Sequence, residues 1–378
     1  MLKLDMKDKK QVYVFRTLPF IADSRVKRYL SIFSKSYEVT FKTWEKEKIS
    51  INGVEQYPLF KSGRFLTKVA KFIGFEFFCL ISFLKLKKGD VAVLMDLDTA
   101  LVPVLFKFLN PNVIIIFDIV DPFSQTKALK FGWLHNAINF IEFHIAKRAD
   151  LCIVPHECRL LFYEESLSSV NSAKLNPIII ENIPDNFSSF TPTFPVNERL
   201  TIGYFGTLDA LTRGLEELLN YAKVNPDVSI VIAGSGALSD TFEKASNMFP
   251  NIKFLGKYNY HELPKLYDKV DFTWAFYSPE IRLHKYACPN KFFEHIVFCT
   301  PIIISEVTPQ SASVKESNTG IVVNKIDDIF ENDFKNKLVY FYEQQISIQT
   351  KLLGTREFYM KYYNLKQEEL AITLHSLK

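Results

Sequence analysis

In the stretch CPNKFFEHIVFCTPIII, Cys288 to Ile304, Lys291 and Glu294 stand three residues apart at the start of a helical pattern. Pro289 suits a first helical position and Pro301 opens the apolar run of the next strand, so the helix is expected to be about three turns long. At roughly 100° per residue, Phe292, Phe293, Ile296, Val297 and Cys299 cover one broad face, and Lys291, Glu294, His295 and Phe298 fall on the other. A helix N-terminus carries about half a positive charge, which makes a first-turn lysine unfavourable unless an anion shares the site. The plain alternative is an i,i+3 surface ion pair worth a few tenths of a kcal/mol.

Other residues point to the same edge. Three strand patterns of the C-terminal half end in glycine, at Gly206, at Gly234 with Gly236, and at Gly256. Ligands of open parallel sheets bind beyond the carboxyl ends of the strands, where a missing side chain lets backbone N–H groups approach them. A tight strand-to-helix turn explains any one of these glycines equally well. No GxGxxG is followed by the acidic residue a dinucleotide requires, and there is no GxxxxGK[ST], which argues against NAD and ATP hydrolysis. Arg213 lies where the helix after the first of these strands begins, and Arg282, His284 and Lys285 lie in SPEIRLHKYACP, the approach to Lys291. Several cations and glycine turns on one sheet edge suggest a diphosphate, with Glu294 suited to a pair of sugar hydroxyls.

The elements that must position these groups form two series. QVYVF, YEVTF, VAVLM, VIIIFDIV, LCIVP and PIIIEN read as strands with helices between them, and LTIGYFG, VSIVIAG, IKFLG, FTWAFY, PIIIS and GIVVN repeat the alternation. Each series implies a parallel sheet covered by helices. The Pro-, Ser-, Thr- and Asn-rich DNFSSFTPTFPVNE separates them as a linker. The expected organisation is residues 1–185 as one Rossmann-like domain, 186–198 as linker, 199–332 as a second Rossmann-like domain, and 333–378 as C-terminal helices.

The segments IGYFGTL…TRGLEELL, IVIAGSG, IKFLGKYNYHELPKLYDKVDF and PNKFFEHIVFCTPIIIS, over residues 200 to 325, resemble the C-terminal domain of GT-B-fold glycosyltransferases related to family 4, the group 1 enzymes. IEFHIAKRADLCIVPH is similar to their N-terminal half. The resemblance implies two α/β domains facing across a cleft, a nucleotide sugar in the C-terminal one and an acceptor in the N-terminal one. It implies that Glu294 binds the ribose hydroxyls of the nucleotide and that Arg213 and Lys291 bind its diphosphate, with Gly206, Gly234 and Arg282 beside them. Tyr286 stands where a first glutamate is expected, eight residues before Glu294. Cys299 and Thr300 replace the usual glycine before Pro301.

Within that architecture a base on the acceptor side could deprotonate the acceptor hydroxyl, a gain of about 10² to 10⁴-fold. Asp118 and Asp121, at the end of VIIIFDIVDP, and His156, after LCIVP, are the candidates, with Asp121 preferred for an inverting reaction. Asp96 and Asp98 end another strand in LMDLDTA. Each could instead cap a turn or sit partly buried. Two carboxylates in DLD are weak grounds for a metal, so neither a required metal nor a cofactor is expected.

At 378 residues with 48% hydrophobic content, the chain can build two ordinary cores. Its 46 basic against 42 acidic residues are too balanced for a nucleic-acid binder. Five cysteines without a CxxC pair fit a reducing compartment, and MLKLDMKDKKQVYVF lacks an apolar signal core, so a cytoplasmic location is expected. The Lys-, Ile-, Asn- and Phe-rich composition fits an AT-rich bacterial genome and surface polysaccharide assembly. The apolar run Phe72 to Leu84 is short for a span of about 20 residues, yet basic residues flank it, Lys85, Lys87 and Lys88 among them. That pattern suggests peripheral contact with anionic lipid at the inner face of the cell membrane and a polyprenyl-diphosphate-linked acceptor; a buried helix explains the apolar residues as well. A nucleotide-sugar epimerase of the same fold, or a non-catalytic partner binding sugar nucleotides or glycans, would use the same crevice without transfer to an acceptor.

Overall fold

A computed structural model describes residues 9–20, 23–45, 50–57, 65–126, 132–167, 175–184, 187, 189–192, 197 and 199–377. The chain divides into two compact units, Met1–Glu181 with Asn364–Lys378, and Asn182–Tyr363. Each holds one wholly parallel sheet with helices between successive strands.

The first sheet runs in the order β3-β2-β1-β4-β5-β6-β7. Its strands are β1 (Lys10–Arg16), β2 (Tyr37–Trp44), β3 (Val54–Tyr57), β4 (Val91–Met95), β5 (Ile114–Asp118), β6 (Leu151–Val154) and β7 (Ile178–Ile179). β4 and β5 are buried along their whole length, which is why VAVLM and IIIFD read as unbroken apolar runs. β3 is a strand the sequence did not announce. It lies at the sheet edge, only partly buried, and VEQY needs no apolar run there.

The second sheet runs in the order β10-β9-β8-β11-β12-β13. It comprises β8 (Leu200–Leu208), β9 (Val228–Gly236), β10 (Ile252–Phe254), β11 (Phe272–Ala275), β12 (Ile302–Ser305) and β13 (Gly320–Val323). In both sheets the strand order reverses beside the first strand, between β1 and β4 and between β8 and β11. In open α/β sheets the crevice outside the carboxyl ends at such a reversal is where ligands bind.

Of the expected linker, residues 187, 189–192 and 197 are described; the other positions of 186–198 lie outside the described residues. The Phe187 ring centroid lies 5.5 Å from that of Tyr260 and 5.3 Å from that of Phe298, both tilted, and Phe190 meets Phe298 edge-on at 5.4 Å. This stretch therefore packs as part of the second unit. After the helix Asn332–Glu343, the last helix, Gln345–Ser376, begins in the second unit and ends in the first, where Leu370 and Leu374 are buried and Lys366 acts electrostatically on Glu181.

Candidate donor and acceptor sites

In the second unit, β8 and β9 lie so that Gly206 pairs with Gly234. Gly234 has φ of 151°, and a Cβ there would sit 1.8 Å from the Gly206 carbonyl oxygen, so no other residue fits without moving the strands. A Cβ on Gly206 would reach within 3.0 Å of Lys291 Nζ. That space is taken by the lysine. From the first turn of the helix Asn290–Val297 it reaches back to β8, where its ammonium donates to the Phe205 carbonyl oxygen at 2.7 Å and lies 4.5 Å above the Tyr204 ring. Burial pushes the Lys291 pKa down, nearby Arg213 adds to the effect, and Glu294 opposes it. A charged ammonium in such a place is stabilised by an anionic ligand.

Arg213 comes to the same crevice from the loop after β8. Its guanidinium lies 3.9 Å from the centroid of Tyr277, and its Nη1 donates to His284 Nε2 at 3.3 Å. The backbone carbonyl of Arg213 accepts from Trp274 Nε1 at 2.8 Å, which fixes the start of the side chain. Tyr204 and Tyr277, the two aromatic platforms, escaped the sequence reading because single tyrosines near strand ends carry no pattern of their own.

The helix itself differs from the expectation in three ways. It is eight residues long, Pro289 is its N-cap rather than its first residue, and the face carrying Glu294, His295 and Phe298 is buried. Burial is possible because the polar groups are satisfied inside. Glu294 accepts from Tyr267 OH at 2.9 Å. His295 Nδ1 donates to the Thr300 carbonyl oxygen at 3.2 Å, and burial pushes its pKa down to about 3, so it is neutral. Tyr286 is buried at the end of the turn Arg282–Tyr286, while Arg282 is exposed at its start.

In the first unit the carboxyl edge is dense with ion pairs. Asp118 is fully buried and spends both oxygens: Arg25 donates from Nε at 2.8 Å and Nη2 at 2.7 Å, and Tyr29 OH donates at 2.8 Å. Both oxygens of Asp118 are thus taken up by Arg25 and Tyr29. His156 Nδ1 accepts from the Cys158 amide at 3.2 Å, which leaves the proton of the neutral ring on Nε2. Burial and Arg159 push its pKa down, against Glu157. His156 can offer a hydrogen bond from Nε2 but cannot take a proton there. Asp121 differs from both. It is half exposed, one oxygen is paired with the buried Arg159, and the second takes no bond from a described residue.

Asp96 adds a feature invisible in the sequence. Its backbone holds φ 62° and ψ 167°, a region that is nearly glycine-only and costs of order 1–3 kcal/mol. The side chain offsets this: one oxygen pairs with Arg16, and the other accepts from the amides of Val120 at 2.9 Å and Asp121 at 3.3 Å. Asp96 thereby shapes the turn that carries Asp121. Asp98 accepts from Thr17 Oγ1 at 2.7 Å. Among the described residues, no group of three or more His, Cys, Asp or Glu could hold a metal ion.

Residues 199–344 match the profile of the family described as Glycosyl transferases group 1, so the second unit carries a group 1 glycosyltransferase domain. The fold over the whole chain is the two-unit GT-B fold. Among solved structures, the chain resembles Anabaena Alr3699/HepE in complex with UDP, with a TM-score of 0.67 at 13% identity over 97% of this chain and 100% of that one. It resembles the sucrose-phosphate synthase of Thermosynechococcus elongatus with a TM-score of 0.71 at 13% identity, over 98% and 99%. It also resembles WaaG, a glycosyltransferase involved in lipopolysaccharide biosynthesis, with a TM-score of 0.61 at 13% identity, over 96% and 99%. No curated protein sequence matches the chain at a significant level.

Proposed function

We propose that the protein moves a sugar from a UDP- or GDP-sugar to a glycan or polyprenyl-diphosphate-linked acceptor in bacterial surface polysaccharide synthesis. The observation that carries the donor side is Lys291, a half-buried ammonium held between Gly206 of β8 and a helix N-terminus with Arg213 beside it. That HepE is seen with UDP and with UDP-glucose supports the same reading. In the transfer, the bond between the sugar's anomeric carbon and the diphosphate oxygen breaks and its electron pair leaves with the diphosphate. Lys291, Arg213 and the helix N-terminus offset the charge that develops there. The acceptor oxygen forms the new bond to the anomeric carbon, and in an inverting reaction its proton passes to Asp121. Glu294, held by Tyr267, faces the ribose hydroxyls. A thermal-shift series across nucleotide sugars tests this: at about 100 Kd the true donor stabilises the fold by roughly 2.7 kcal/mol. A flat series across every UDP- and GDP-sugar would remove the donor reading.

For the acceptor, the helix Phe65–Leu84 supports a lipid-linked substance at the cytoplasmic membrane face. One side of this helix is core, with Phe75, Cys79 and Phe83 fully buried. The other side carries Ile73, Phe77, Ile81 and Leu84, each 42–56% exposed and spaced along one face. Asn110 donates to the carbonyl oxygens of Leu86 at 2.8 Å and Phe83 at 3.2 Å, which brings the exposed Phe106, Phe108 and Leu109 to the end of that face. Lys85, Lys87 and Lys88 are exposed at the same end; Lys61 and Arg64 lie outside the described residues. No helix among the described residues is long and apolar enough to cross a membrane. An apolar strip with a lysine rim suits reversible docking on anionic lipid, at about 1 kcal/mol per lysine. The protein is expected to sediment with anionic vesicles at low salt, less so at high salt, and weakly once Lys85, Lys87 and Lys88 become glutamate. Wild-type protein that stays in the supernatant with anionic vesicles at low salt would point to a soluble acceptor.

A further inference from the structure

We propose that His284 is a positioning residue for the donor, holding the Arg213 guanidinium at the phosphate end of the crevice through one fixed neutral tautomer. The inference rests on the reading of Arg213 as a diphosphate ligand. Arg282, His284 and Lys285 form a basic run in the sequence, which suggests three cations; the geometry makes the middle one an acceptor.

His284 is 7% exposed in the turn Arg282–Tyr286. Its Nδ1 lies 2.7 Å from the Ser278 carbonyl oxygen. A carbonyl only accepts, so the ring proton is on Nδ1. Nε2 therefore presents its lone pair, and it lies 3.3 Å from Arg213 Nη1, which only donates. The two partners determine the tautomer between them. Tyr277 completes the arrangement, with its face 3.9 Å from the guanidinium carbon and its ring edge-to-face with His284 at 5.0 Å. Ser278 is tied back to the Arg213 loop, since its amide donates to the Thr212 carbonyl oxygen at 3.0 Å. A long arginine side chain otherwise surrenders much rotamer freedom when it grips a ligand. With one N–H on His284 and one face on Tyr277, Arg213 is ordered before the diphosphate arrives, and its remaining side-chain N–H groups donate to no described residue.

The test separates the two nitrogens of the imidazole. In His284→Asn the side-chain amide can still donate to Ser278 but nothing stands at the position of Nε2; in His284→Gln a carbonyl oxygen can return there. UDP and GDP, with uridine and guanosine as controls, are titrated against the full-length wild type, both His284 variants, Arg213→Ala, and Arg213→Ala combined with His284→Asn. Arg213→Ala is expected to weaken the preferred diphosphate at least about tenfold. His284→Asn should weaken it about three- to tenfold with nucleoside affinity unchanged, His284→Gln should recover most of the loss, and in the double variant His284→Asn should add nothing. Nitrogen NMR of the wild type should show a histidine fixed as the Nδ1–H tautomer. Losses that add in the double variant, or an equal loss for the nucleoside, would overturn the positioning role. Diphosphate binding weakened by Arg213→Ala but indifferent to both His284 variants would overturn it alone. Unchanged binding in Arg213→Ala would overturn the donor assignment of that arginine and this inference with it.

Discussion

Asp121→Asn is expected to lower turnover at least about a hundredfold while the affinity for the nucleotide sugar stays at the wild-type value. The asparagine keeps the shape and still offers Arg159 an oxygen, but it cannot accept the acceptor's proton. Of the three acceptor-side candidates, only Asp121 retains a half-exposed oxygen without a described partner. Asp118 is committed to Arg25 and Tyr29, and His156 carries its proton on the nitrogen that faces away from the Cys158 amide. The substitution leaves the buried charge of Arg159 without its counter-ion, so the melting temperature should be measured alongside. A retained melting temperature with lost turnover assigns the proton transfer. Near-normal turnover with correctly folded protein would mean a retaining mechanism that uses no such base.

The second large effect is expected at Lys291. Removing its ammonium in Lys291→Ala should weaken UDP or GDP binding by about 10- to 150-fold, the worth of a hydrogen bond to a charged group. The fold should survive, because the side chain's own partners are one carbonyl oxygen and one tyrosine face. Glu294 calls for a gentler change. It is buried and accepts from Tyr267, so alanine would leave a buried hydroxyl unpaired at a cost of about 1–3 kcal/mol. Glu294→Gln keeps that bond, and it should weaken nucleotides more than it weakens inorganic diphosphate. Unchanged nucleotide affinity in both Lys291→Ala and Glu294→Gln would sink the assignment of this crevice.

Much of this site was legible because a helix N-terminus makes a cation conspicuous. Lys291 contradicts the local field, and only something outside the helix could resolve it. The strands were legible for a similar reason: a sheet covered on both faces demands unbroken apolar runs, which VAVLM and IIIFD supply and the edge strand VEQY does not. What could not be read was pairing across long separations. Nothing local in the sequence announces that Arg25 would neutralise Asp118, 93 positions away, or that Asp96 would adopt a glycine-like backbone. The helical wheel placed Glu294 and His295 on a polar face correctly but could not show that Tyr267 and Thr300 would be there to bury it. Tyr286 could be identified as a missing carboxylate. That it would be buried could not be read from the sequence.

The central claim is that the carboxyl edge of β8, the Arg213 loop and the first turn of Asn290–Val297 bind the diphosphate of a nucleotide. Calorimetric titration of the full-length protein with UDP and GDP, against uridine and guanosine, tests it most directly. The account predicts that one diphosphate binds at least about tenfold more tightly than its nucleoside, and that this advantage shrinks in Lys291→Ala. A nucleoside that binds as well as its diphosphate, or a diphosphate advantage untouched by Lys291→Ala, would contradict it.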